Sequence, residues 1–207
     1  MKVLLVNGSP HAKGCTYTAL SEVALALEKN DVKTEFFQIG TKPVSGCLGC
    51  RQCFELGECV IDDVVNEFLK LTRGFDGFVF GSPVHYAAAS GMITSFLDRV
   101  FYGPKTDGLM FKPAAAIVSC RRGGATAAFD QLNKYFTISN MPIVSSQYWN
   151  MVHGNSPEEV RQDLEGLQIM RTLGKNMAWL LRCIAAGKKA GVNLPQQEEK
   201  IRTNFIR

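Results

Sequence analysis

Four cysteines, Cys47-x2-Cys50-x2-Cys53-x5-Cys59, crowd one short stretch of the chain, while Cys15, Cys120 and Cys183 stand apart. Thiolates at such spacing can share a soft metal or take part in redox chemistry. The total of 7 cysteines is odd, which argues against a disulfide framework and for metal or redox work in a reducing compartment. Three other segments carry residues suited to a ligand. NGSPHAKGCTYT, residues 7–18, sets Gly8, Ser9, Gly14, Thr16 and Thr18 where a strand would enter a helix. Small residues there let backbone N–H groups close on an anion such as phosphate, and His11 and Lys13 add charge. The loop is neither a Walker A loop nor a GxGxxG turn, and its plainer reading is a Gly-rich turn with capping threonines. GSPVHYAAASG, residues 81–91, gathers Pro83, Val84 and the rings of His85 and Tyr86 into a rigid apolar wall for a flat ring, or else is a strand end with a surface aromatic. SCRRGGATA, residues 119–127, sets Gly123-Gly124 before a helix with Arg121 and Arg122 alongside, cations that in the plainer reading are merely solvated.

These segments need elements to bring them together. Residues 2–6 (KVLLV) form an apolar run without alternation, as in a strand buried on both faces. Leu20, Val23, Ala24 and Leu27 recur at helical spacing over 16–29. Residues 32–39 read as an edge strand, and 40–58 follow neither period. Asp62 or Asp63 can cap a helix that ends before Gly74. Further strands are predicted over 75–81, 113–119 and 142–149, and helices over 90–101, 125–138 and about 157–186. Alternation of strands and helices predicts an α/β, doubly wound, five-stranded parallel sheet with helices on both faces. Ligands of such sheets bind at the carboxyl ends of the strands, where these loops lie. We expect a single domain over 1–187, with the four-cysteine loop inserted at 40–60 and a charged tail at 188–207.

The 207 residues, 46% hydrophobic and 20% charged, suit a globular chain of one domain. A net charge of +4 with scattered basic residues implies no nucleic-acid partner. No apolar stretch reaches the roughly 20 residues of a bilayer span, and the first apolar run is too short for a secretory leader. The expectation is a cytoplasmic protein without membrane association.

The combination of NGSPHAKGCTYTAL, GSPVHYAAASGMITSFLDRVFY and SCRRGGATAAFDQLNKYF resembles the flavodoxin-like NADPH-dependent FMN reductases over residues 1 to about 155, and the cysteine string resembles their iron-sulfur flavoprotein subgroup. The resemblance implies strand order 2-1-3-4-5 and an FMN whose phosphate lies on Ser9, His11, Cys15, Thr16 and Tyr17. Its isoalloxazine would rest against Pro83, Val84, His85 and Tyr86, with Ser119, Arg121 and Gly123 nearby. Cys15 stands where Asn is usual in the family, and Thr94 where Lys is frequent. For Cys47, Cys50, Cys53 and Cys59 the resemblance implies a [4Fe-4S] cluster; structural zinc and a bare thiol loop are the alternatives. The loop is expected to leave the sheet edge on which flavin would sit, with the cluster facing the flavin of a neighbouring subunit in a homodimer or homotetramer.

The implied activity is an oxidoreductase passing electrons from NAD(P)H or a reduced donor through FMN to an acceptor. The alternative is a non-enzymatic electron-transfer protein shuttling between protein partners. The sequence carries no separate dinucleotide fingerprint to choose NADPH over NADH. No catalytic side chain is assigned; His85 is the candidate for tuning the flavin. His153 is read as structural, and Cys183 as a core residue beside Leu180.

Overall fold

The computed structural model describes residues 1–103 and 108–206. Arg207, the last residue of the expected tail, lies outside them. Strands β1 (Lys2–Asn7), β2 (Lys33–Gln38), β3 (Gly77–His85), β5 (Ala114–Cys120) and β6 (Met151–His153) run parallel in the order β2-β1-β3-β5-β6. Counted along these five strands, this is the expected 2-1-3-4-5 order. The short β4 (Ala88–Ala89) folds back antiparallel on the end of β3.

Helices α1 (Cys15–Glu28), α6 (Pro157–Gln162) and α7 (Leu164–Lys189) pack on one face of the sheet; α3 (Val64–Leu71), α4 (Gly91–Tyr102) and α5 (Ala125–Ile138) pack on the other, and the short α2 (Cys53–Leu56) lies in the cysteine loop. The period-2 geometry of β1 divides its side chains between two cores. Val3 and Leu5 join Leu20, Val23, Leu173 and Met177, whereas Leu4 and Val6 join Phe68, Phe78, Phe80, Phe96 and Phe136. The second core is largely aromatic, with Phe68 within 5.1–6.1 Å of Phe96, Phe80 and Phe78, centroid to centroid. Such pairs add to the area they bury and hold α3 and α4 in fixed register on the sheet.

Three expectations are corrected. The strand predicted over 142–149 is a single bridge, Ile143 to Ala114, followed by a loop, and pairing resumes only at Met151 against Val118. From 114 to 118 is four positions and from 143 to 151 is eight, so four residues are looped out. Gln147 and Asn176 hold that loop through bonds linking it to α7. The helix predicted over 157–186 breaks at Asp163, whose carboxylate caps α7 at Gly166 N–H and also accepts from His153 N–H. Cys183 is exposed, not a core residue. Among the described residues, no helix is long and apolar enough to cross a membrane.

Candidate cofactor rim and cysteine pocket

The turns after β1, β3 and β5 meet at one end of the sheet, and each pair is joined by direct contact. Gly8 N–H donates to Gly81 O at 2.8 Å, and Ser90 Oγ donates to Gly8 O, which ties the first turn to the second. Thr16 Oγ1 and Ser119 Oγ, both buried, share a 2.8 Å bond between the first turn and the third. Gly124, at φ 92°, lies against the second turn: a Cβ there would stand 2.4 Å from Ala87 Cα. That approach and that φ both require glycine. A Cβ on Gly8 would likewise strike Ile93 and Gly81 O. β2 reinforces the rim from the side, since Gln38 Nε2 donates to Ser9 O and Asn7 Nδ2 donates to Gln38 Oε1.

The helices leaving this rim are chemically unlike α3, α6 and α7. α1, α4 and α5 begin without a side-chain cap and without an acidic residue in their first turn. α3, α6 and α7 have both, with Asp63, Ser156 and Asp163 as caps. In α1, Gly14 N–H is used by His11 O and Thr18 N–H by Gly14 O, which leaves the first-turn N–H groups of Cys15, Thr16 and Tyr17 without an intrahelical acceptor. An open, positive helix terminus of this kind holds an anion.

Around it, Ser9 is buried and its Oγ accepts from His11 N–H, while the His11 side chain is exposed. Tyr17 is half-buried, its ring 4.9 Å from that of Phe36. Burial pushes the Cys15 thiol above its ordinary pKa, with Glu159 and Glu158 adding to the effect. Pro83 and Val84 are half-buried, and His85 and Tyr86 are exposed. Tyr86 and Ala87 both sit at positive φ, 49° and 59°, and form the two-residue turn between β3 and β4. Arg121 and Gly123 are exposed beside the buried Ser119. Sequence reasoning missed Asn7 and Gln38, whose tasks are internal to the rim, and found Gly124 only as half of a glycine pair before a helix.

The four cysteines line one pocket, partly open to solvent, with Leu48, Val60, Ile61, Leu69, Tyr102 and Arg99 in its wall. Burial, then the neighbouring Cys59, Cys47 and Cys50, push the Cys53 thiol above its ordinary value. Among the described residues no three His, Cys, Asp or Glu side chains surround one ion position. Four cysteine thiols in one pocket form an all-sulfur, soft donor set of the kind that zinc and iron-sulfur clusters both take.

The loop does leave the rim, with Ile39 N–H bonded to Asn7 O, but it then runs along α4 to that helix's far end. Cys59 meets Arg99, and Cys53 lies within 3.8 Å of where a Cβ on Gly103 would be. At 1.5 Å per residue, these points are roughly 12–18 Å along α4 from the rim. Cys53 and Cys59 thus lie well along α4 from the rim, although the loop that carries them starts there. Arg99 causes this. In sequence Arg99 carries no signal beyond the family-like string it lies in, yet its buried guanidinium bonds Asp63, Ile61 O, Ser45 O and Cys59 Sγ.

A parallel sheet in this order, with an anion-ready rim at its carboxyl edge, defines a flavodoxin-like α/β protein. A solved flavodoxin from the domain Archaea superposes with TM-score 0.60 at 13% identity, covering 88% of this chain and 99% of its own. RosB, solved with a bound 8-demethyl-8-formylriboflavin-5'-phosphate intermediate, superposes with TM-score 0.72 at 15% identity, covering 100% and 92%. The sequence model of the NADPH-dependent FMN reductases matches residues 1–156. An iron-sulfur flavoprotein of Methanocaldococcus jannaschii is 31% identical over 89% of this chain and 99% of its own. The chain belongs to the NADPH-dependent FMN reductase family, and its curated relatives there are iron-sulfur flavoproteins by name.

Proposed function

We propose that the protein is an FMN-dependent oxidoreductase that takes electrons from NAD(P)H or a reduced protein donor and delivers them to an acceptor. The observation that carries this reading is the meeting of three turns at one rim, beside a helix N-terminus left without cap or acid. The first-turn N–H groups of Cys15, Thr16 and Tyr17, with Ser9 and His11, receive the phosphate of FMN. Pro83, Val84, His85 and Tyr86 seat the isoalloxazine, and Ser119, Arg121 and Gly123 close the opposite side. When bound, FMN supplies hydride acceptance and single-electron release. The chain's own work is to hold the ring, exclude water on the Pro83–Val84 side and set hydrogen bonds at its edge. No side chain is assigned an acid or base role.

Cys47, Cys50, Cys53 and Cys59 are the ligands proposed for a [4Fe-4S] cluster, whose chemistry is one-electron storage. The separation of these residues from the rim along α4 supports electron exchange between subunits of a homo-oligomer, a dimer or tetramer. Flavin, iron and sulfide assays on anaerobically purified protein, beside Cys50→Ser, test both cofactors together. We expect one FMN per chain in both proteins, and iron and sulfide only in the parent. Stoichiometric zinc would overturn the cluster, and a protein that binds no added FMN would overturn the whole reading. Rapid anaerobic bleaching by NADPH or NADH supports the enzyme. Indifference to both, with reduction by ferredoxin, supports the alternative of a carrier between protein partners.

A further inference from the structure

The Arg99 side chain is 1% exposed, and its five N–H bonds meet five acceptors. Its terminal nitrogens donate to Asp63 Oδ2 at 2.6 Å and Oδ1 at 2.9 Å, to Ile61 O at 2.7 Å and to Ser45 O at 3.5 Å. Its Nε–H donates to Cys59 Sγ at 3.3 Å. Ser45 precedes the cysteine string and Cys59, Ile61 and Asp63 end it, so one guanidinium from α4 staples both ends of the loop. Cys59 is held independently at its backbone, where the buried Asn66 accepts from Cys59 N–H at 3.0 Å and donates to Cys59 O at 2.9 Å. Of the other three sulfurs, Cys47 accepts a neutral donor, Gly49 N–H at 3.5 Å. Among the described residues Cys59 is the cysteine of the four with a charged donor to its sulfur, and Asn66 fixes its backbone.

We propose that Arg99 is a positioning residue that holds the Cys59 sulfur through Nε–H, making Cys59 the fixed corner of the pocket and raising the reduction potential of the cluster bound there. This rests on the cluster assignment above. Reduction adds one electron, with no bond made or broken, and a donor to a ligating sulfur favours the more negative form. Asp63 opposes that effect through its charge while it orients the guanidinium. A lysine at position 99 keeps the positive charge but has three donors on a point charge, which Asp63 will capture, leaving Cys59 unbonded.

The test compares the anaerobically purified parent, Arg99→Lys and Asp63→Asn by iron and sulfide content, EPR of the reduced protein and redox titration of the cluster. The expected result is a cluster in all three, a lower midpoint potential in Arg99→Lys, on the order of the 59 mV of a tenfold one-electron shift, and an unchanged or higher one in Asp63→Asn. Cluster loss confined to Arg99→Lys also supports the proposal. Equal potentials in the parent and Arg99→Lys, or parallel losses in both variants, would reduce Arg99 to a structural clamp and overturn it. A parent without iron removes the cluster reading itself, and this proposal with it, whatever the variants do.

Discussion

Cys15 offers the sharpest residue-scale test, because its proposed contribution is a backbone N–H and not its thiol. Proline is well tolerated at the first position of a helix, whose N–H has no intrahelical use. The preceding Gly14, at φ −83° and ψ −164°, already has the extended conformation that a following proline favours. Cys15→Pro should therefore leave the helical CD and the melting temperature close to the parent's while deleting one donor to the phosphate. A hydrogen bond to a charged group is worth about 1.5–3 kcal/mol, so flavin quenching titrations should show FMN affinity reduced roughly 10- to 150-fold. An unchanged affinity would mean that the anion is held elsewhere. Gly124→Ala is expected to do the reverse. The new Cβ meets Ala87 Cα at 2.4 Å and the φ of 92° is unfavourable, so urea denaturation should show a loss of about 1–3 kcal/mol even without FMN.

Among the elements, α4 and α5 are joined across the second core by Tyr135 OH, which donates to Asp98 Oδ1. Burial first, then Asp98, raises the Tyr135 pKa above its ordinary value of 10.0. The native state therefore keeps a proton that the unfolded chain releases near pH 10, so this contribution is complete below that pH and is lost as pH rises further. Tyr135→Phe should flatten the alkaline limb of the stability–pH curve above pH 10 and leave its slope near pH 7 unchanged. The elements themselves were legible where burial was two-sided or helical periodicity was long, as in β1, β5, α1 and α5. The region after α5 was not. Ile143 looks like the middle of a strand, but a bridge, a loop of four surplus residues and a three-residue strand leave no period to read. The break at Asp163 was equally silent, since an aspartate inside an amphipathic pattern reads as a solvated face until its caps are seen. At the site, the three turns were legible from their glycines and their place after strands. The path of the cysteine loop was not, because it depends on the long-range partners of Arg99.

For the whole molecule, the folded mass ends with α7. Residues 193–206 run outside it without regular structure, and Asn140 Nδ2 donates to Gln197 Oε1 to tie them to the fold. Deleting residues 193–207 should change unfolding free energy by no more than about 0.5 kcal/mol, as for surface changes that remove little packing, and should leave FMN content intact. A large drop in stability would show that the tail packs on the fold. Sedimentation of the same variant reads whether Ile201, Phe205 and Ile206, all exposed, serve assembly instead.

The turn at Tyr86–Ala87 has a consequence of another kind. Two consecutive residues with β-carbons occupy a backbone region that asparagine and glycine enter more cheaply, at a cost on the order of 1–3 kcal/mol each. Ala87→Gly should relieve one of these costs and stabilise the fold, while loosening the bend that presents the tyrosine ring. Selection for heat resistance alone would be drawn to such a position, and the same step would weaken the proposed grip on a planar guest.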